Sequence, residues 1–267
     1  MLHRHIDTGT VLISQPAHAW VSGQLAAVWG NERFGAVEPF AEVHLAAEQH
    51  DIGWLEWEAA PTLNPASGLP RTFRDLPTNE HVAVWAPAGP RSLVYGPYIA
   101  LLVSLHGTGL YQRHDFTRDT LEEAEAARRF IIAGAAFEEG LLRRMTDDPQ
   151  YAAFAAPGIV ARNRRLVAVW DALSLALCGG IVEDYQLSSV PSEDEPVSML
   201  VHRVEEGRER FSVEPWPFLV DTVRLTCAGR LVEERFTNQE KMRDAIDVAP
   251  WQALEFELAR SHSAAGG

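Results

Sequence analysis

Across residues 1–180 the apolar positions recur mainly at helical spacing. From Pro16 onward His18, Val21, Ser22, Leu25, Val28 and Trp29 share one face, which predicts a helix closed by Gly30 and Asn31. Proline suits its first turn, where a missing N–H removes no hydrogen bond. Phe40, Val43, Ala47, His50, Asp51 and Trp54 mark a second helix, from about Pro39 to Trp57. Pro97 opens a third, with Ile99, Leu102, Val103, His106 and Leu110 inward and Gly107-Thr108-Gly109 ending or loosening it. Thr120 and Glu123 form a capping box before a long Ala- and Leu-rich helix reaching about Met145. A fifth helix runs from about Pro157 to Cys178. Leu166, Val169, Trp170, Leu173 and Leu177 form its core face, with Asn163, Arg164, Val167, Asp171 and Ser174 on a neighbouring stripe.

Strand-like patterns lie at the two ends of the chain. Ile6 to Ser14 reads as a hairpin turning at Asp7-Thr8-Gly9-Thr10. Beyond Gly180, residues 199–204, 211–213, 222–226 and 231–236 read as strands, the last two joined across Ala228-Gly229-Arg230. A short helix capped within Thr237–Glu240 and a final strand over 251–258 follow. Residues 61–70 hold three prolines and a glycine and predict an irregular loop running on to Pro77; residues 188–196 predict a polar loop. The expected fold is mainly α: a helical body over 1–180 carrying an N-terminal β-hairpin, a small antiparallel β-rich extension over 181–260 in the same domain, and a disordered tail over 261–267, α+β overall.

Composition narrows the classes. A hydrophobic fraction of 46% in 267 residues supports a sizeable core without staples. No apolar run approaches the roughly 20 residues of a membrane helix, and the start lacks the apolar stretch of a signal peptide, so a cytoplasmic protein with no membrane partner is expected. The formal charge of −14 argues against a nucleic-acid footprint, which needs clustered Lys and Arg. A small-molecule partner is expected. Cys178 and Cys227 show no metal-type spacing and read as buried small hydrophobes.

Polar residues on apolar faces carry the candidate chemistry. His18, the His50-Asp51 pair, His106 and Asp171 all fall where an unpartnered polar group is costly. Asp171 requires a cation, either Arg164 or a metal. Imidazole nitrogen and carboxylate oxygen are common ligands of iron, manganese and zinc, and one ion answers all five anomalies.

The order His, then His-Asp, then a later Asp on another helix resembles the HD-domain superfamily, an all-helical metal-binding fold that includes nucleotide phosphohydrolases and cyclic-nucleotide phosphodiesterases. The additional His106 resembles its dinuclear branch, including diiron oxygenases of the myo-inositol oxygenase type. Gln15-Pro16-Ala17-His18, Glu48-Gln49-His50-Asp51-Ile52-Gly53-Trp54, Leu105-His106-Gly107-Thr108-Gly109 and Trp170-Asp171-Ala172-Leu173-Ser174 are similar to an HD-like family known as domain of unknown function 3891. The resemblance implies an HD-like helical bundle in which His18, His50, Asp51 and Asp171 ligate a metal. His106 is then a fifth ligand or a substrate-side catalytic donor. Trp54 stands where many catalytic relatives carry a Lys, and Arg164 is the candidate replacement for that cation. His114 and His44 are poorly placed as further ligands.

Three functions follow as expectations. A metal-dependent hydrolase of phosphohydrolase type, with iron or manganese first, zinc next, and one ion preferred over two, is favoured. A non-haem diiron oxygenase and a non-catalytic ligand- or partner-binding module are the alternatives. No dinucleotide fingerprint, P-loop or serine elbow is present.

Overall fold

The computed structural model describes residues 1–181, 183–205 and 208–261. In chain order the elements are β1 (Leu2–Ile6), β2 (Gly9–Ile13), α1 (Gln15–Ala27), α2 (Phe40–Gln49), α3 (Leu55–Ala59), β3 (Leu63–Asn64), β4 (Leu69–Pro70), α4 (Thr78–Trp85), α5 (Ala88–Ser92), α6 (Pro97–Tyr111), α7 (Leu121–Thr146), α8 (Pro157–Gly179), β5 (Tyr185–Val190), β6 (Val197–Arg203), β7 (Arg210–Glu214), β8 (Thr222–Val232), α9 (Gln239–Val248) and β9 (Trp251–Arg260). Of the expected tail 261–267, all but Ser261 lies outside the described residues.

The expectation of a mainly α protein with an all-α core is overturned. The chain is 49% helical and 21% strand, with one seven-stranded mixed sheet beside a two-stranded one, so it is α+β. The large sheet runs β1-β2-β8-β9-β7-β6-β5. It is neither small nor antiparallel throughout, because β7 and β9 pair in parallel from Arg210↔Glu257 to Val213↔Arg260. Nor is the N-terminal hairpin separate from it: Thr10, Val11 and Leu12 pair with Val232, Leu231 and Arg230. Local periodicity registers a strand but not its partner from the far end of the chain.

The broken strand expected around Gly229 is also corrected. β8 passes straight through that glycine and pairs with β9 over its length. A side chain at Gly229 would sit 2.6 Å from the Leu12 carbonyl oxygen, so the glycine admits the close approach of β2 rather than forming a turn. The polar loop expected from Ser188 begins inside strand β5, and the proline-rich loop contains the short β3–β4 ladder.

Helices α1, α2, α6 and α8 pack on one another. Ser14 caps α1 by accepting from the Ala17 amide at 3.1 Å, and the capping box of Thr120 and Glu123 starts α7. α1 also packs on β8 and α8 on β1 and β5, while α7 covers α4 and α6. The four-helix group therefore lies between the sheet and α7. The expected weakening of α6 at Gly107–Gly109 does not occur; the helix continues to Tyr111. Cys178 and Cys227 are buried free thiols, their sulfurs 3.8 Å apart across the α8–β8 boundary. Among the described residues no helix is long and apolar enough to cross a membrane.

Candidate metal centre

The second predicted helix is broken where the chemistry sits. α2 ends at Gln49; His50 keeps helical angles, but Asp51, at φ −98° and ψ 18°, leaves them, and a tight turn follows before α3. The break lets two adjacent side chains reach the same point. His18 comes from the first turns of α1, His106 from the middle of α6 and Asp171 from the middle of α8. The structure thus brings together all five residues singled out as ligands. His18 and His50 are fully buried, Asp51 and His106 nearly so, and the Asp171 side chain is 15% exposed.

The contacts form a chain. His18 Nε2 lies 2.6 Å from Asp51 Oδ2, which is 3.6 Å from His50 Nε2. His50 Nε2 is 3.3 Å from Asp171 Oδ1, and His106 Nε2 is 3.6 Å from Asp171 Oδ2. Two overlapping groups, His18/His50/Asp51 and His50/His106/Asp171, each place their ligand atoms within 4.8 Å of one another.

Hydrogen-bond accounting shows which nitrogens are free. His50 Nδ1 donates to the Ala47 carbonyl at 2.7 Å, so Nε2 is the nitrogen turned toward the two carboxylates, and it has no well-formed hydrogen bond there despite complete burial. At 3.3 Å its approach to Asp171 is a long ion-pair contact, in which a proton on Nε2 holds the place between the two carboxylates that a metal ion could take. Ser174 Oγ donates to the Asp171 carbonyl and accepts from Ser22 Oγ, each at 2.9 Å, and its remaining lone pair faces His18 Nδ1, also at 2.9 Å. His18 Nδ1 must therefore carry hydrogen. Its Nε2 then meets Asp51 with bare lone pairs on both sides unless a cation, proton or metal ion, lies there. The imidazoles of His18 and His50 are thus each fixed through Nδ1 with Nε2 turned inward, the outer-shell pattern that orients metal-ligating histidines.

Electrostatics agree. Burial opposes charge on His50, but Asp51 and then Asp171 outweigh it and lift its pKa to about 9. His106 goes the other way, pushed down to about 4 by burial against the pull of Asp171. Burial alone would raise both carboxyls; His50, aided by His18 at Asp51 and by His106 and His18 at Asp171, holds both below the ordinary carboxylate range. Two carboxylates at the bottom of a buried cup call for positive charge, and a divalent ion neutralises both.

Other candidates fall elsewhere. Arg164 does not pair with Asp171; its guanidinium donates to Gln112 Oε1 at 2.7 Å. His114 pairs with Asp119 at 2.9 Å and His44 stacks on Phe40. Trp54, in the place of the expected Lys, is buried against Trp57, His81 and Trp85. Sequence reasoning missed the supporting roles of Ser22 and Ser174, although Ser22 follows His18 by four residues and Ser174 follows Asp171 by three, one helical turn each. The cup opens in two directions. Asp171 lines a cleft of about 810 Å³ together with His3, Arg74 and Tyr185. His106 lines a second of about 350 Å³ between α6 and α8.

Comparison with known proteins returns one family model, described as "Protein of unknown function (DUF3891)", matching residues 1–234. No curated protein and no solved structure matches.

Proposed function

The chain belongs to the DUF3891 family, and we propose that it is a metal-dependent hydrolase related to the HD-domain superfamily, with His18, His50, Asp51 and Asp171 as ligands of one divalent transition ion. The observation that carries this reading is the buried Nε2 of His50, aimed between two carboxylates without a well-formed hydrogen bond and locked from behind by Ala47. A structural histidine would have a partner there.

One ion suits the cup better than two. Both ligand groups require His50, whose single free nitrogen serves only one metal, so two ions would compete for it. This weighs against a diiron oxygenase. The mixed N/O donor set suits iron, manganese or zinc. Such an ion supplies Lewis acidity toward a phosphoryl-type group and lowers the pKa of a water to about 7.

The protein's own groups do the rest. Asp51 and Asp171 set the charge of the cup; Ser174, Ser22 and the Ala47 carbonyl hold the imidazoles in register. His106 stands between the cup and the α6–α8 cleft, where as a neutral imidazole it either completes the ligand set or donates a hydrogen bond to the substrate.

The test is hydrolysis of 4-nitrophenyl phosphate and bis(4-nitrophenyl) phosphate by protein loaded with manganese or ferrous ion. Turnover abolished by chelation and reduced at least a hundredfold in Asp171→Asn is the expected result. A metal-loaded protein inert toward both esters contradicts hydrolysis and supports the non-catalytic module; oxygen consumption by the ferrous form supports the oxygenase.

A further inference from the structure

The cleft beside His106 is built from one face each of α6 and α8. On α6, His106 and Gly109 lie one turn apart, and Arg113 follows just beyond the end of the helix; on α8, Arg164 and Arg165 stand opposite, with Asp171 about two turns further along the helix. Three guanidinium groups thus converge on one cavity of about 350 Å³ in a chain whose formal charge is −14. Their partners are neutral: Arg164 donates to Gln112 Oε1, and Arg165 to the carbonyls of Ser188 and Ser189. Among the described residues none of the three forms an ion pair. Burial disfavours the charge on Arg164; Glu138 opposes that effect without forming an ion pair with it, and Arg113 adds to it.

Gly109 completes the arrangement. A side chain there would stand 2.5 Å from Arg164 Nη2 and 3.3 Å from its Cζ and Nε. The absent Cβ is what lets the guanidinium lie flat on α6, one turn from His106. This explains the α6 glycine that sequence reasoning took for a helix terminator.

We propose that this cleft is an anion subsite that binds a phosphate group, with Arg164 as its principal ligand and Arg113 and Arg165 supporting it. The planar fork of arginine fits phosphate oxygens in pairs. The position, adjoining His106 at the cup, assigns the cleft to a phosphate borne by the substrate; that assignment rests on the metal-centred reading above, whereas the binding itself does not. The cation absent at Trp54 is thereby supplied from α8.

The test is calorimetric titration of inorganic phosphate at low ionic strength into metal-loaded and EDTA-stripped protein. Wild type, Arg164→Met, Arg113→Met and Gly109→Ala are compared, with metal content and circular dichroism measured for each. The expected result is phosphate binding in both states, weakened at least tenfold by Arg164→Met and by Gly109→Ala and less by Arg113→Met, with fold and metal content unchanged. Gly109→Ala removes no charge, so its effect reports the seating of Arg164 alone. Equal affinity in wild type and all variants, or no binding to stripped wild type, overturns the proposal. A response that requires metal and ignores the cleft variants also overturns it while leaving the metal site standing. Cleft-dependent binding by a protein that takes up no metal supports the subsite and refutes the metal reading.

Discussion

Two histidines, the fully buried His50 and the half-buried His81, show what distinguishes a candidate ligand from a core residue. His81 is enclosed by Trp54, Trp85 and Tyr111; its Nδ1 meets the Tyr111 hydroxyl and its Nε2 accepts from Trp85 Nε1 at 3.4 Å. Both nitrogens face neutral partners, the Trp85 contact being a long one, and burial pushes its pKa down to about 4. His50 is fully buried, and its inner nitrogen, without a well-formed hydrogen bond, faces two carboxylates that lift its pKa to about 9. The ring is the same, and what surrounds its second nitrogen differs: an indole N–H at His81, two carboxylates at His50. An imidazole inside a protein indicates a metal when one nitrogen is fixed by the protein and the other is left for something absent from the chain.

That contrast is open to attack at several points. The largest effect expected is from the ion itself: free metal at a thousand times its Kd stabilises the fold by about 4 kcal/mol, or roughly 10 °C in Tm. Chelation should abolish this shift in wild type and in His81→Gln alike, as measured by differential scanning calorimetry; a chelator-insensitive wild type would erase the distinction between the two histidines.

Acid stability sharpens the other side of it. His81 in the folded protein has a pKa near 4, below its unfolded value of 6.5. The unfolded chain therefore binds the proton more readily, and stability is lost as pH falls from about 6.5 toward 4. The difference amounts to about 3 kcal/mol. His81→Gln should flatten the stability curve in that window by about this amount, as read from denaturant melts at pH 7, 5.5 and 4. An unchanged curve would mean that His81 is not held neutral by its surroundings.

Ser174 supports only the metal side. Ser174→Ala frees His18 Nδ1 and should weaken metal affinity about tenfold, as expected for an outer-shell partner, with little change in metal-free stability. A full loss of fold would instead make Ser174 a core residue. The smallest effect belongs to His114, whose pairing with Asp119 is partly exposed. His114→Ala should cost at most about 1 kcal/mol and leave metal content unchanged; loss of metal would return His114 to the ligand set.

The residues of the cup were legible in the sequence because charged and imidazole groups on apolar helical faces stand out against their neighbours. His18, His50, Asp51, His106 and Asp171 converge as that pattern implies. The break at Asp51 was not legible, since the apolar positions continue through Trp54 and Trp57 as if the helix did. Arg164 was noticed as a cation, either a partner of Asp171 or a replacement for the Lys; its place against α6, away from Asp171, was not legible, because spacing along α8 says nothing of Gly109, whose missing side chain leaves room for the guanidinium. The sheet was least legible. Each strand has a local pattern, but the join of β2 to β8 and the parallel pairing of β7 with β9 link segments distant in sequence. A mainly α reading followed from counting helices before those links were known.

The most direct test of the central claim is the metal content of protein purified without added metals and then reconstituted with manganese, ferrous ion or zinc, for wild type and His50→Ala. One ion per chain in wild type and less than about a tenth of that in His50→Ala, with the variant still folded, is the result expected for a ligand that contributes folding energy through the metal. A wild type that takes up none of the three ions, or a His50→Ala variant that holds as much as wild type, would contradict it.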